Sequence, residues 1–270
     1  MAGKNGMLKV LEKTINNDPM RKARFSLVAA TAACLLAGFP AANAAVSVSA
    51  SVGGAPIGVS RVSFDSLTLG SGGGIASGPI GSVTVSFLSD GQAVQGTSEP
   101  LFAAPWLSGG NGNGFGPLGS NQTDGQDATT YLTSGLSTDA NHGQAILTFS
   151  SPQRYIGLLW GSVDSFNTLS LYSGGESGTL VANVTGTQVL ASPNGDQGLN
   201  GSVYVNINSD TFFDTIVATS TQYAFEFDNV AYNPEPVPEP ATCALLLFAF
   251  GLHGLRRLRN WTCWSLAKIS

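Results

Sequence analysis

The sequence predicts an all-β fold, a single β-sandwich or jelly-roll-like domain set between two hydrophobic ends. Three observations carry this. Apolar residues recur with period two, as in Val46-Ser47-Val48-Ser49 and Val83-Thr84-Val85-Ser86-Phe87, and no segment of the body sustains a 3.6-residue period. Glycine supplies 34 of 270 residues, many between the alternating runs, which suits short strands joined by tight turns. Apolar residues reach 43% and charged residues only 11%, so the chain can bury a core and does not have a disordered composition.

The N-terminal end reads as an export signal occupying residues 1–44. Met20-Arg21-Lys22-Ala23-Arg24 is a basic n-region, Phe25 to Phe39 an apolar h-region, and Ala42-Asn43-Ala44 a small-x-small pattern, so cleavage is expected between Ala44 and Ala45. The h-region is short for a membrane span, and an uncleaved anchor is the alternative. Residues 1–19 do not fit such a signal, and Met20 offers a second start.

The body, 45–232, opens on the Val46–Val52 alternation. Val59 to Leu69 continues it around Phe64 and Leu67, Gly70 to Gly81 breaks it, and Val83 to Phe87 resumes it. From Leu107 to Gly125 the chain is rich in Gly and Asn. Gly110, Gly112, Gly114 and Gly116 do not fit G-x-G-x-x-G, and the stretch reads as a long surface loop. Strands return at Ala145–Phe149 and at Tyr155–Gly161. The continuous apolar character of the second argues for a central strand covered on both faces, with Trp160 as a core anchor. Asn167–Tyr172, Leu180–Leu190, Val203–Ile207, Thr215–Thr219 and Tyr223–Tyr232 complete about ten strands.

The C-terminal end has its own order. Residues 233–240 are a Pro-rich linker ending in Val237-Pro238-Glu239-Pro240; Pro234, Pro236, Pro238 and Pro240 are expected to keep it extended and off the fold. Residues 241–259 are an apolar helix closed by Arg256, Arg257 and Arg259. Its apolar part, Ala241 to Leu255, spans roughly 22 Å against roughly 30 Å of hydrocarbon, a temporary membrane anchor with the Arg cluster cytoplasmic and the body outside. Residues 260–270 form an unusual tail.

Charge and cysteine narrow the function. The body holds only Arg61 and Arg154 against 15 acidic residues, counted to Pro240. Such a surface repels nucleic acid and anionic lipid and attracts divalent cations. Cys34, Cys243 and Cys263 all lie in the hydrophobic ends, so the body has no disulfide and no thiolate metal site. Its one His, His142, sits in an Asn-His-Gly turn and no G-x-S-x-G elbow is present, so no catalytic residue is assigned. Paired carboxylates of a glycosidase type remain open, since the fold alone would place them. No cofactor is assigned. Hard-oxygen candidates for Ca²⁺ are Asp164 with Asn167, the loop Asn194-Gly195-Asp196, and Asp228 with Asn229, and none matches an EF-hand loop. Asp164 and Asn167 also read as turn caps.

Two resemblances follow from these residues. The tail V-P-E-P-A-T…LLLFAFGLHGLRRLR resembles the PEP-CTERM sorting signal of Gram-negative bacteria that make extracellular polysaccharide. That resemblance implies processing by exosortase, a membrane-embedded cysteine peptidase or transpeptidase that carries its own nucleophile. The body segments R-Y-I-G-L-L-W-G-S-V-D-S-F-N-T-L-S-L-Y at 154–172 and A-F-E-F-D-N-V-A-Y at 224–232 resemble exosortase-dependent surface proteins with W-G-S-V-D-x-[YF]-N and F-D-N-V segments. The expectation is a non-enzymatic exported protein at the cell surface or in the extracellular matrix. Its role would be structural or adhesive, in an exopolysaccharide or biofilm setting, with exosortase and extracellular polysaccharide as partners, transient membrane contact and no nucleic acid. A carbohydrate-binding module or a polysaccharide-active enzyme is the alternative.

Overall fold

The computed structural model describes residues 45–51, 54–135 and 143–237. The signal segment to Ala44, His142, Pro238, Glu239, Pro240, the apolar run, Arg256, Arg257, Arg259 and the tail lie outside the described residues. Ala45 is described: its N–H donates to Asp210 Oδ1 at 2.9 Å, and its carbonyl accepts the Asp210 N–H at 3.1 Å.

The strands are Val46–Ser51 (β1), Ser60–Val62 (β2), Gly74–Ser77 (β3), Ser82–Leu88 (β4), Gln92–Val94 (β5), Trp106–Leu107 (β6), Gly125–Gln126 (β7), Tyr131–Ser134 (β8), Gln144–Gly161 (β9), Asn167–Ser173 (β10), Thr179–Thr185 (β11), Val203–Ser220 (β12) and Phe225–Asn233 (β13). Helix is confined to single turns at Pro117–Gly119 and Gly186–Val189 among the described residues. One large antiparallel sheet runs β11-β10-β12-β9-β13-β8-β5, with β1 on β12, β2 on β13, and the β3–β4 hairpin on β9. The predicted all-β class and its antiparallel sheet are what the chain forms.

Two strands of 18 residues, β9 and β12, shape this sheet. They pair in two zones. Residues 203–208 of β12 pair with 155–160 of β9, 215–219 pair with 144–148, and the register breaks between. The first zone adds β1 and β13; the second adds β4 and β10. A register break bends a strand and raises its twist, so both zones turn toward one core. That core joins Leu147 and Phe149 of the second zone to Ile156, Leu158, Trp160, Phe225 and Phe227 of the first.

The first zone is covered on its other face too. Tyr155 and Leu159 leave the main core for a second cluster with Val59, Leu107, Phe115, Tyr204 and Ala231. Alternate residues of β9 are therefore apolar on both sides, which is why its sequence shows no alternation. Trp160 is fully buried and stacks on Phe225 at 4.2 Å between ring centroids.

Two expectations change. The segments read as separate strands at 145–149 and 155–161, and at 203–207 and 215–219, are one strand each. The polar residues between them mark bends, not chain reversals. The Gly/Asn-rich stretch is also more than a surface loop. Its ends pair as β6 and β7, and Asn111 and Phe115 are each 1% exposed. Glycine lets this backbone lie close against its neighbours, so a stretch of low hydrophobicity still packs.

Candidate functional site

Strand β13 reads Phe225-Glu226-Phe227-Asp228-Asn229, and pleating sends alternate side chains to opposite faces. Phe225 and Phe227 enter the main core, Phe227 edge-on to Phe64 at 5.8 Å. Glu226 and Asp228 therefore point the other way. They do not reach solvent: Glu226 is 2% exposed and Asp228 not at all. The chain between β5 and β8 covers that face. Pro105 lies so close to Gly161, the pairing partner of Glu226, that a Cβ there would meet Pro105 Cγ at 3.0 Å.

Glu226 meets a donor at each oxygen. Its Oε1 accepts the Ala103 N–H at 2.9 Å, and its Oε2 accepts the Ser162 hydroxyl. Ser162 lies just beyond β9 at φ +34°, a strained value for a residue with a Cβ. Ser162, Asp164, Gly195, Gln197, Tyr223 and Glu226 line a half-open pocket of about 90 Å³. Burial pushes the Glu226 carboxyl up to about 7; the Ser162 and Ala103 donors oppose this, and the Asp164 charge adds to it. Burial also raises Asp164, to about 6. The segments W-G-S-V-D and F-E-F-D-N, far apart in sequence, thus supply three pocket residues from neighbouring strands.

Asp228 has a different environment. The Asp127 carboxyl is its neighbour, both reaching the Thr129 hydroxyl. Asp127 Oδ1 accepts from the Thr129 N–H at 2.9 Å and the Thr129 hydroxyl at 2.5 Å. That hydroxyl is also 3.4 Å from Asp228 Oδ2, but it has one proton to give. Gln122 Nε2 donates to Thr129 Oγ1 at 3.2 Å, and Asn229 Nδ2 donates to Gln122 Oε1 at 2.5 Å. Asp65, nearby, accepts from Thr130 N–H and Ser63 Oγ. Burial drives the Asp228 carboxyl well up, the adjoining Asp127 charge adds to it, and the Asn229 N–H opposes it. Asn229 sits at φ +54° where the β13–β9 register shifts, a bulge that Asn tolerates better than most residues.

The residues singled out from sequence are placed as follows. Asp164 lines the pocket, and the Asn194-Gly195-Asp196 loop passes over it. Gly195 is at φ +67°, and a Cβ on it would lie 2.8 Å from Asp164 Oδ2. Asp196 turns back to the Gly198 N–H at 2.7 Å. The Asn167 side chain bonds Ala224 O and Ser220 Oγ. Asp228 lies with Asp127. Among the described residues, no three or more His, Cys, Asp or Glu side chains gather as a metal centre. Sequence reasoning missed Glu226, Ser162, Asp127 and Gln122. The alternation F-E-F-D was the available signal, because two Phe in a core imply two carboxylates on the opposite face.

The linker also departs from expectation. At Val237 it is on the fold: Val237 N–H donates to Asn208 Oδ1 at 2.7 Å, Asn208 Nδ2 donates to Val237 O at 2.9 Å, and the Val237 side chain packs on the second cluster. Proline removes a donor at each of its own positions, but Val237 keeps one and uses it.

Fold and site define a mostly-β body with a buried acidic strand face, held at its last residues to a C-terminal segment. Residues 236–260 of that segment match the PEP-CTERM protein-sorting motif. The motif marks the chain for export across the membrane to the cell surface and for processing by exosortase. No curated protein and no solved structure matches the chain. No helix among the described residues is long and apolar enough to cross a membrane.

Proposed function

We propose that the β-body is a non-catalytic structural or adhesive module, displayed at the surface or in the extracellular matrix of a Gram-negative bacterium in an exopolysaccharide or biofilm setting. The sorting motif at 236–260 carries this reading. The body is joined to it without a spacer, because β13 ends at Asn233 and Val237 is already bonded to Asn208. The state of the pocket supports a passive role. Glu226 is 2% exposed and each of its oxygens already accepts a hydrogen bond, from Ala103 and Ser162, which holds the carboxyl in place as part of the fold.

The test compares wild-type cells with cells lacking exosortase, by mass spectrometry of the C-terminus and by surface fractionation. Loss of residues C-terminal to the motif in the wild type alone, with the body at the surface, is the expected result. An intact C-terminus in both strains defeats the sorting reading. A full-length chain that hydrolyses a polysaccharide defeats the non-catalytic one.

A carbohydrate-binding role is the second reading, favoured by one rim of the pocket. Tyr223 is 39% exposed there, beside Asp164 and Gln197. An exposed aromatic face with carboxylate and amide acceptors is suited to a neutral sugar. A glycan array with wild type and Tyr223→Ala tests it. Binding to one sugar class that the variant loses supports this role; no binding, or binding unchanged by the variant, removes it.

A further inference from the structure

We infer that a calcium ion binds between the sheet and its covering loop, held by the carboxylates of Asp127 and Asp228 with neutral oxygens from Thr129 and Asn229. The first ground is unmet demand. Asp127 Oδ2, Asp228 Oδ1 and Asn229 Oδ1 are buried and have no hydrogen-bond partner among the described residues. Their residues are at most 1% exposed. Native interiors seldom leave such groups unsatisfied, and here all three are acceptors. The Asp127 and Asp228 carboxylates both reach the Thr129 hydroxyl, at 2.5 and 3.4 Å, so two of the unmet oxygens belong to neighbouring carboxylates.

The second ground is charge. Two carboxylates buried together need a proton or a cation between them. Among the described residues, no protein cation supplies it. Arg61, on the neighbouring β2, gives its terminal nitrogens to the carbonyls of Val59, Ala55 and Pro56. Arg154 lies over the Phe212 ring at 4.2 Å. A shared proton would join the two carboxyls but leave Asn229 Oδ1 without a donor; the cation we infer takes that oxygen as a further ligand.

The donor set selects the ion. It contains carboxylate, amide and hydroxyl oxygens, with no nitrogen or sulfur ligand, which fits a hard cation. Its oxygens come from a loop and a bulged strand, and calcium's flexible coordination tolerates such a set better than the strict octahedron magnesium demands. With two carboxylates the affinity belongs in the range of extracellular calcium modules, roughly 10⁻⁴–10⁻³ M. The ion would fasten the segment between β7 and β8 to β13 only after export, where calcium is abundant.

The full-length protein in detergent, stripped with a chelator, is titrated with CaCl2 or MgCl2 at pH 7.5 and its thermal unfolding followed. Saturating CaCl2 is expected to raise Tm by roughly 5–10 °C, with one ion bound per chain by equilibrium dialysis and a smaller response to MgCl2. Asp127→Asn and Asp228→Asn each keep the shape and remove a charge. Each is expected to lose the calcium response while melting, in chelator, no lower than stripped wild type. If one variant does not fold, the other decides. An unchanged wild-type Tm, a calcium response kept by a folded variant, or equal responses to the two metals overturns the assignment.

Discussion

Glu226 and Asp228 lie two residues apart on the same strand and leave it on the same face, but the chain treats them differently. Glu226 meets an N–H and a hydroxyl, and borders an open pocket. Asp228 meets another carboxylate, has an oxygen without a partner and lies wholly inside. The strand pattern is identical for the two, so the difference comes from the cover. Ala103 and the turn at Ser162 bring donors to Glu226; the segment 122–129 brings a second carboxylate, Asp127, to Asp228. A buried carboxylate given donors is a fixed part of the fold that can hold a proton. One given acceptors is half of a site.

The largest effect is expected where both centres share support. Trp160 stacks on Phe225 behind β13, and Trp160→Ala should cost about 3–5 kcal/mol in chemical denaturation. It should weaken the calcium response and the acid titration together; loss of only one would show that the two centres do not depend on a common strand.

Next comes pH. The Glu226 carboxyl stands at about 7 in the fold against an ordinary 4.5. Folding therefore favours the protonated form. That contribution is fully present below pH 4.5 and is lost as pH rises through about 7. Glu226→Gln stays neutral and can still accept from Ala103. Between pH 4.5 and 8, wild type should lose on the order of 3 kcal/mol that the variant keeps. Parallel stability curves for the two would remove Glu226 as the titrating group. Asp164, raised to about 6, acts in the same direction and remains in the variant.

The smallest effect should lie at the tail. Asn208→Ala removes two bonds to Val237 and should cost about 1 kcal/mol, without altering the calcium or pH response. A change in either would tie the sorting segment to the acidic face.

Much of the architecture was legible in the sequence. Period-two runs marked β1 and β4, and the unbroken apolar run at 155–161 marked a strand covered on both sides. The continuity of β9 and β12 was not, because exposed Ser150, Ser151 and Pro152 look like a turn where the strand only bends. The candidate site was legible by half. Asp164 and Asp228 stood out in their motifs. Their partners did not, because Ala103 reaches Glu226 and Gln122 reaches Asn229 across more than 100 residues of chain. Such contacts depend on where a loop of irregular composition settles, and local pattern carries no record of that.

The contrast between the two carboxylates is tested most directly by the calcium-induced shift in Tm, measured at pH 7.5 on full-length wild type, Glu226→Gln and Asp228→Asn. The shift should persist in Glu226→Gln and vanish in Asp228→Asn. Equal shifts in all three proteins, or loss of the shift in Glu226→Gln alone, would contradict the account.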